Sequence, residues 1–245
     1  MIISQNRKKE VHMEKYSFDR KLQEAVLKRM GRKQSIITIN GEERKVRCPV
    51  FIKTDTSVIP CLVKEDSKTG NTGYTVVAVS FDELDAEEKN WICIQPVFLE
   101  RAIRFFIENH QMESMTGDCR CANRLTNTRD IGFDFETENV CIEIKVLIPI
   151  TVGTGSCTWK SFHEAVKQMI GHCNNPAVKE KGKRILLLAV CQDGTGQIQS
   201  MEDGSIKDEL KKAVSMGVEF WMAETKTKED GISLLGYWDY TDKIL

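Results

Sequence analysis

The stretch Gly132-Phe-Asp-Phe-Glu-Thr-Glu-Asn-Val-Cys-Ile-Glu-Ile-Lys145 decides the fold of the C-terminal part of the chain. Its alternating apolar and polar residues predict two antiparallel strands, over 131–135 and 140–148, joined by a turn at Glu138-Asn139. Successive side chains of a strand point to opposite faces, so the hairpin has one apolar face and one polar face. On its first strand the apolar face is formed by Phe133 and Phe135.

The register of this hairpin brings charged side chains together on its polar face. With the turn at 138–139, Asp134 lies opposite Glu143, and Gly132 lies opposite Lys145. Opposed carboxylates repel each other and destabilise a sheet unless a cation compensates, and Mg²⁺ binds one or two carboxylates together with water and phosphate oxygens. The pattern predicts a metal site for phosphodiester hydrolysis, with Lys145 orienting the attacking water. An ordinary amphipathic hairpin with a solvated polar face remains the alternative.

The rest of the chain after residue 97 predicts a mixed α/β domain, a central sheet flanked by helices. The run over 185–190 is continuously apolar, which is typical of a central strand buried on both faces. Other hydrophobic spacings predict helices over 97–106, 158–170 and 206–216, and strands over 218–223 and 232–237. Gly217 follows the last of these helices, at the position where a glycine commonly ends a helix.

The N-terminal third predicts one helix followed by several short strands. Apolar residues at helical spacing predict a helix over 14–30 that ends at Gly31. Four short strands follow, over 35–39, 46–53, 58–63 and 74–79, and Asn40-Gly41 is a typical hairpin turn between the first two. We therefore expect three parts: a basic helical extension over 1–33, a small β domain over 34–90 that forms a barrel or a curled sheet, and the α/β domain over 91–245.

Composition narrows the class of protein. The chain has 245 residues, 41% of them hydrophobic, which supports a sizeable core. No apolar run reaches the length of a membrane span and no secretory signal is recognisable, so a cytoplasmic protein is expected. Up to residue 53 there are fourteen Lys and Arg against six Asp and Glu, although the whole chain has a net charge of −1. This asymmetry is compatible with nucleic-acid contact by the N-terminal third.

Two segments resemble a known superfamily. The order Asp134, then Glu143-Ile-Lys145 on the next strand, resembles the PD-(D/E)xK nucleases. More of the chain resembles the sugar fermentation stimulation protein (SfsA) family, through Ile131-Gly-Phe-Asp-Phe135, Cys141-Ile-Glu-Ile-Lys145, Phe162-His163 and the stretch 210–220. The resemblance implies an OB-like barrel followed by a PD-(D/E)xK nuclease-like domain.

The resemblance also implies site residues and partners. Asp134, Glu143, Lys145 and His163 would be catalytic, with Mg²⁺ or Mn²⁺ held by the two carboxylates and the Ile144 backbone carbonyl. Nucleic acid, DNA more than RNA, would be the partner, contacted by Lys160 and Lys167. The oligomeric state is left open, a homodimer included.

The chain departs from the family at several motifs. Only Cys48-Pro49 remains of the family pattern Cys-Pro-Asn-(Thr/Ser)-Gly, and the Phe-Pro-Asp-Ala stretch is replaced by residues 150–156. A second interpretation is therefore a non-catalytic nucleic-acid-binding regulator that retains the nuclease fold. A third is a thiol-rich metal protein, because nine cysteines include the pair Cys119-Arg-Cys121. Glu100, on the helix before the sheet, is a candidate for an additional carboxylate.

Overall fold

Two six-stranded sheets organise the chain in a computed structural model. The structure describes residues 14–29, 35–48, 58–66, 73–117, 133–147, 156–176, 182–192 and 204–244. In chain order the elements are β1 (Tyr16–Ser17), β2 (Gln23–Arg29), β3 (Ser35–Ile39), β4 (Glu42–Arg47), β5 (Ile59–Asp66), β6 (Gly73–Val79), β7 (Ile92–Cys93), α1 (Pro96–Glu108), α2 (Glu113–Thr116), β8 (Phe135–Glu136), β9 (Val140–Val146), α3 (Ser156–Asn174), β10 (Arg184–Gln192), α4 (Gly204–Ser215), β11 (Val218–Lys228), β12 (Gly231–Asp239) and α5 (Thr241–Ile244).

The N-terminal sheet closes into a five-stranded barrel. Its strands pair in the order β4-β3-β2-β5-β6, and β4 pairs back to β6 in parallel, which completes the ring. This connectivity is OB-like. The predicted hairpin turn is confirmed, because Asn40 and Gly41 both have positive φ, 50° and 80°, as a tight two-residue turn requires. For the same reason β4 begins at Glu42, directly after the turn, and not at Val46 as the sequence predicts.

The helix predicted over 14–30 is wrong in the described part of that segment, which forms β1 and β2. β2 pairs with β3 on one side and β5 on the other, so it is a strand of the barrel and not an extension outside it. Ala25 and Leu27 point into the barrel core, whereas Phe18 and Leu22 precede the strand and pack against the core beside α1. The apolar residues at helical spacing in this segment therefore belong to two different cores, that of the barrel and that beside α1. Pairing with neighbouring strands overrides the local helical period. Gly31 lies outside the described residues.

The second sheet has the order β1-β12-β11-β10-β9-β8. Strands β9, β10 and β11 are parallel, and β10 is central, as its continuous apolar run predicts. Helix α1 covers one face of the sheet, where it packs on Ile142 and Ile144. Helices α3 and α4 cover the other face, where the cluster includes Cys141 and Phe162. The described residues therefore confirm the mixed α/β architecture.

One of the three hydrophobic clusters of the described residues is shared by the barrel and the α/β sheet. The cluster beneath α1 contains barrel residues such as Leu62 and Val77 together with sheet residues such as Leu188. The Cys93 N–H donates to Gln192 Oε1 at 2.6 Å, and Gln192 Nε2 donates to the Cys93 carbonyl at 3.0 Å. Gln192 thus joins the end of the central strand to the last strand attached to the barrel.

Candidate active site at the β8–β9 hairpin

The hairpin formed by β8 and β9 has the predicted register. Phe135 pairs with Ile142 and Glu136 pairs with Cys141, so the register is confirmed over the pairs that the ladder contains. The turn is held by Thr137, whose Oγ1 accepts a hydrogen bond from the Val140 N–H at 3.0 Å. Continuing this register along β9 places Asp134 beside Glu143.

The prediction that Phe133 and Phe135 lie on the same face of the hairpin is wrong. Phe133 packs in the core beneath α3, 4.6 Å between ring centroids from His172, whereas Phe135 packs in the core beneath α1. The reason is that β8 begins only at Phe135 and Asp134 lies in a bend, so strict alternation does not extend back to Phe133. Gly132, predicted opposite Lys145, lies outside the described residues.

Asp134 is fixed to β9 by its own side chain. The Ile144 N–H donates to Asp134 Oδ2 at 2.8 Å, so the carboxylate takes the place of a backbone carbonyl at the end of the short strand. The Asp134 backbone N–H in turn donates to the carboxylate of Glu143. The bend thus ties both acidic residues to one short piece of the hairpin.

Glu143 and Lys145 point to the α3 face of β9, and they contact each other. The Glu143 side chain is only 5% exposed and that of Lys145 is 27% exposed, and Lys145 Nζ lies 2.6 Å from Glu143 Oε1. The structure therefore brings together the three charged residues that the sequence predicts on the hairpin. In the following, Asp134, Glu143 and Lys145 are called the strand cluster.

The surroundings of Glu143 in the strand cluster disfavour the ionised form of its carboxyl group. Burial, and secondly the charge of Asp134, raise the pKa of the Glu143 carboxyl above its usual value. The ion pair with Lys145 and the hydrogen bond from Asp134 offset this rise only in part. A buried carboxylate in this position costs folding free energy, and an additional cation beside it would recover that cost.

The strand cluster has a donor set that fits a hard divalent cation. Two carboxylates are present, and the N–H and C=O of a strand residue point to the same edge, so the Ile144 carbonyl is directed toward the side where Asp134 lies. Mg²⁺ and Mn²⁺ prefer such oxygen ligands and retain several waters. No group of three or more His, Cys, Asp or Glu side chains suited to a metal occurs within the described ranges, so an ion here would rely on backbone and solvent oxygens as well.

His163 and Lys167 are engaged by a residue that the sequence did not indicate. His163 Nε2 lies 2.5 Å from Glu209 Oε2, and Lys167 Nζ lies 3.6 Å from Glu209 Oε1, which joins α3 to α4. His163, Lys167 and Glu209 are called the helix cluster below. Glu209 was missed because its partners stand more than 40 positions away and no local motif marks it. Lys160 lies in the first turns of α3, outside the side chains that the structure describes.

Glu100 lines a hollow on the α1 side of the same hairpin. The hollow has a volume of about 140 Å³ and is lined by Val97, Glu100, Arg101, Arg104 and Phe135. Phe135 follows Asp134 directly in the chain, so the hollow opens next to the strand cluster at the β8 edge of the sheet. The sequence singled out Glu100 but gave no signal for the two arginines.

Among the cysteines whose side chains the structure describes, Cys48 is half-buried and the other five are buried. Burial raises the pKa of Cys61, Cys93 and Cys191 to about 12 in each case, which keeps these thiols protonated and unreactive. Cys119 and Cys121, the pair that suggested zinc, lie outside the described residues.

The fold defines an OB-like barrel joined to a mixed α/β domain. No family model and no curated protein matches the sequence. Among solved structures, the fold is similar to that of SfsA from Pyrococcus furiosus in complex with Ca²⁺, with a TM-score of 0.63 and 15% sequence identity. The match covers 91% of this chain and 97% of that protein. At this identity the similarity confirms the SfsA-like fold and nothing finer. None of the described helices is both long and apolar enough to cross a membrane.

Proposed function

We propose that the protein is a metal-dependent nuclease of the PD-(D/E)xK kind, which hydrolyses phosphodiester bonds of nucleic acid. The observation that carries this proposal is the buried Glu143 carboxylate, held within 2.6 Å of Lys145 and beside Asp134 at one end of a hairpin. A buried carboxylate beside a second one destabilises a sheet, the ion pair with Lys145 offsets this only in part, and a bound cation would supply further compensation.

The proposed chemistry divides the work among the three residues. Asp134 and Glu143 would hold Mg²⁺ or Mn²⁺ with the Ile144 carbonyl, and the bound ion would supply positive charge to a phosphate oxygen. Lys145 would orient the water that attacks phosphorus and would stabilise the negative charge that develops as the bond to the leaving oxygen breaks. The Ca²⁺ bound by the Pyrococcus protein belongs to the same class of hard cations, which is in keeping with this assignment.

A second candidate is a nucleic-acid-binding protein without catalytic activity. The observation that favours it is the OB-like barrel, a fold whose strands and loops bind oligonucleotides in many proteins. The outer face of β3 and β4 exposes Lys45 and Arg47, which suits contact with a phosphate backbone. An OB-like barrel would bind nucleic acid in either candidate, so only the strand cluster distinguishes a nuclease from a non-catalytic binding protein.

Cleavage of labelled single- and double-stranded DNA and RNA, with Mg²⁺, Mn²⁺ or EDTA, tests the proposal. Wild type should cut at least one substrate with metal and none with EDTA, and Lys145→Ala should lose about 10²–10³-fold in rate. Lys212→Ala is the control, since it removes an exposed lysine of α4. If wild type binds nucleic acid but cuts no substrate with either metal, the nuclease is wrong and the binding protein remains.

A further inference from the structure

The hollow beside the strand cluster contains an arginine, Arg101, that forms no ion pair with any of the described residues. Arg104 Nε donates to Glu108 Oε1 at 2.7 Å, so that guanidinium is tied to its own helix. Arg101 is exposed at the same hollow, and no carboxylate among the described residues contacts it. Glu100, the remaining charged residue of the hollow, engages a partner of its own. Arg101 is therefore the cationic side chain of the hollow that no described carboxylate engages.

The position of the hollow connects it to the strand cluster. Phe135 forms its floor with a side chain that is almost fully buried, and the neighbouring Asp134 carries the carboxylate at the bend. β8 is the outermost strand of its sheet in the described residues and has only two residues, so the α1 face and the α3 face meet there. The hollow and the strand cluster therefore meet at this edge through the adjacent residues Asp134 and Phe135.

We infer that the hollow binds a phosphate group of the nucleic-acid strand that flanks the phosphate to be cleaved, with Arg101 as its main ligand. This inference rests on the proposed nuclease function and adds a binding residue to it. A guanidinium suits the task because its planar set of donors matches phosphate oxygens and stays charged at any working pH. Val97, which is 38% exposed, supplies apolar surface beneath the sugar or base of the same nucleotide.

The dependence of binding on salt measures this contact directly. Each phosphate contact contributes about 0.7 for single strands, or about 0.9 for duplex DNA, to the slope of log affinity against log salt concentration. Binding of a fluorescently labelled single-stranded oligodeoxynucleotide and of its duplex is measured in EDTA over a series of KCl concentrations. Arg101→Gln should lower the slope by about one contact for one of the probes, and Arg101→Glu should weaken binding further.

The control removes an equal charge elsewhere. Lys212 is exposed on α4, on the opposite face of the sheet, and Lys212→Gln should leave the slope unchanged. Arg101 contacts no carboxylate in the part of the chain that the structure describes, so circular dichroism should show an intact fold in Arg101→Gln as well as in Lys212→Gln. An unchanged slope in Arg101→Gln with both probes overturns the inference, as does a wild type that binds neither.

This readout is independent of cleavage. If the slope falls in Arg101→Gln but wild type cuts no substrate, the hollow binds phosphate and the proposed nuclease fails. If wild type cuts but the slope does not change, the nuclease stands and the assignment of the hollow is wrong.

Discussion

The α3 face of the sheet carries two clusters with similar residues and different environments. The strand cluster places Glu143 and Lys145 on β9, with side chains 5% and 27% exposed. The helix cluster places Glu209 and Lys167 on α4 and α3, with side chains 29% and 58% exposed. A more exposed ion pair between helices forms at little cost and contributes little, whereas a buried carboxylate on a strand is expensive to maintain. The proposed function accordingly places the chemistry on the strands, and we propose that the helix cluster mainly joins two helices.

The largest expected difference between the clusters is in cleavage. Glu143→Gln keeps the shape of the side chain but removes the charge that would hold the metal, so the rate should fall about 10³-fold. Glu209→Gln should change the rate by less than about threefold, because among the described residues the ion-pair partners of Glu209 are His163 and Lys167, neither of which belongs to the strand cluster. Single-turnover cleavage with Mg²⁺ measures both. Equal losses in the two variants would show that the helix cluster is part of the catalytic machinery.

The ion pairs of the two clusters should also differ in how much they contribute to the free energy of unfolding. Lys145→Ala leaves the buried Glu143 without its ion pair, and we expect a loss of about 2 kcal/mol in the free energy of unfolding. Lys167→Ala removes one exposed partner of Glu209 and should cost less than about 1 kcal/mol. Urea unfolding measures the two values.

A double variant checks that the first loss comes from the pair. Lys145→Ala combined with Glu143→Gln should be less destabilised than the sum of the two single variants, because no unpaired buried charge remains. Additive losses would mean that the pair contributes nothing to stability.

The two clusters also show what the sequence can predict. The register at Glu143 follows from the alternation along β9 and from a short turn, both local properties, so the strand cluster was predicted residue by residue. Glu209 meets His163 only because α3 and α4 pack side by side on the sheet, and no local spacing encodes that contact. The predictions for Phe133 and for the segment around β2 are wrong for a related reason. There, a bend and pairing with distant strands override the local period.

A divalent cation should raise the thermal stability of the protein through the strand cluster and not through the helix cluster, and we expect this effect to be smaller than those above. An ion held by Asp134 and Glu143 stabilises the folded state, and at ten times its dissociation constant the gain is about 1.4 kcal/mol, or a rise of about 3–6 °C in Tm. Asp134→Asn should abolish the shift in Tm that Mg²⁺ or Mn²⁺ produces, whereas Glu209→Gln should retain it. A wild type whose Tm does not respond to either ion would remove the support for a metal site.

The smallest expected effect is in the pH dependence of stability without metal. The folded protein raises the pKa of Glu143 above the unfolded value, so it binds a proton more tightly than the unfolded chain does. The stability linked to that proton is fully present below the unfolded pKa and is lost as pH rises through the folded-state pKa. Wild type should therefore lose stability relative to Glu143→Gln as pH rises above about 4.5, by at most about 1.4 kcal/mol per pH unit.

Unfolding by urea in EDTA, at several pH values from acid to neutral, measures this difference between wild type and Glu143→Gln. Mg²⁺ should reduce it, because a cation beside the carboxylate favours the charged form that burial disfavours. A difference that is constant across the series would mean that burial and Asp134 together leave Glu143 no harder to ionise than an exposed glutamate. The contrast between the strand cluster and the helix cluster would then be one of geometry alone, and the case for a cation at the hairpin would lose its electrostatic basis.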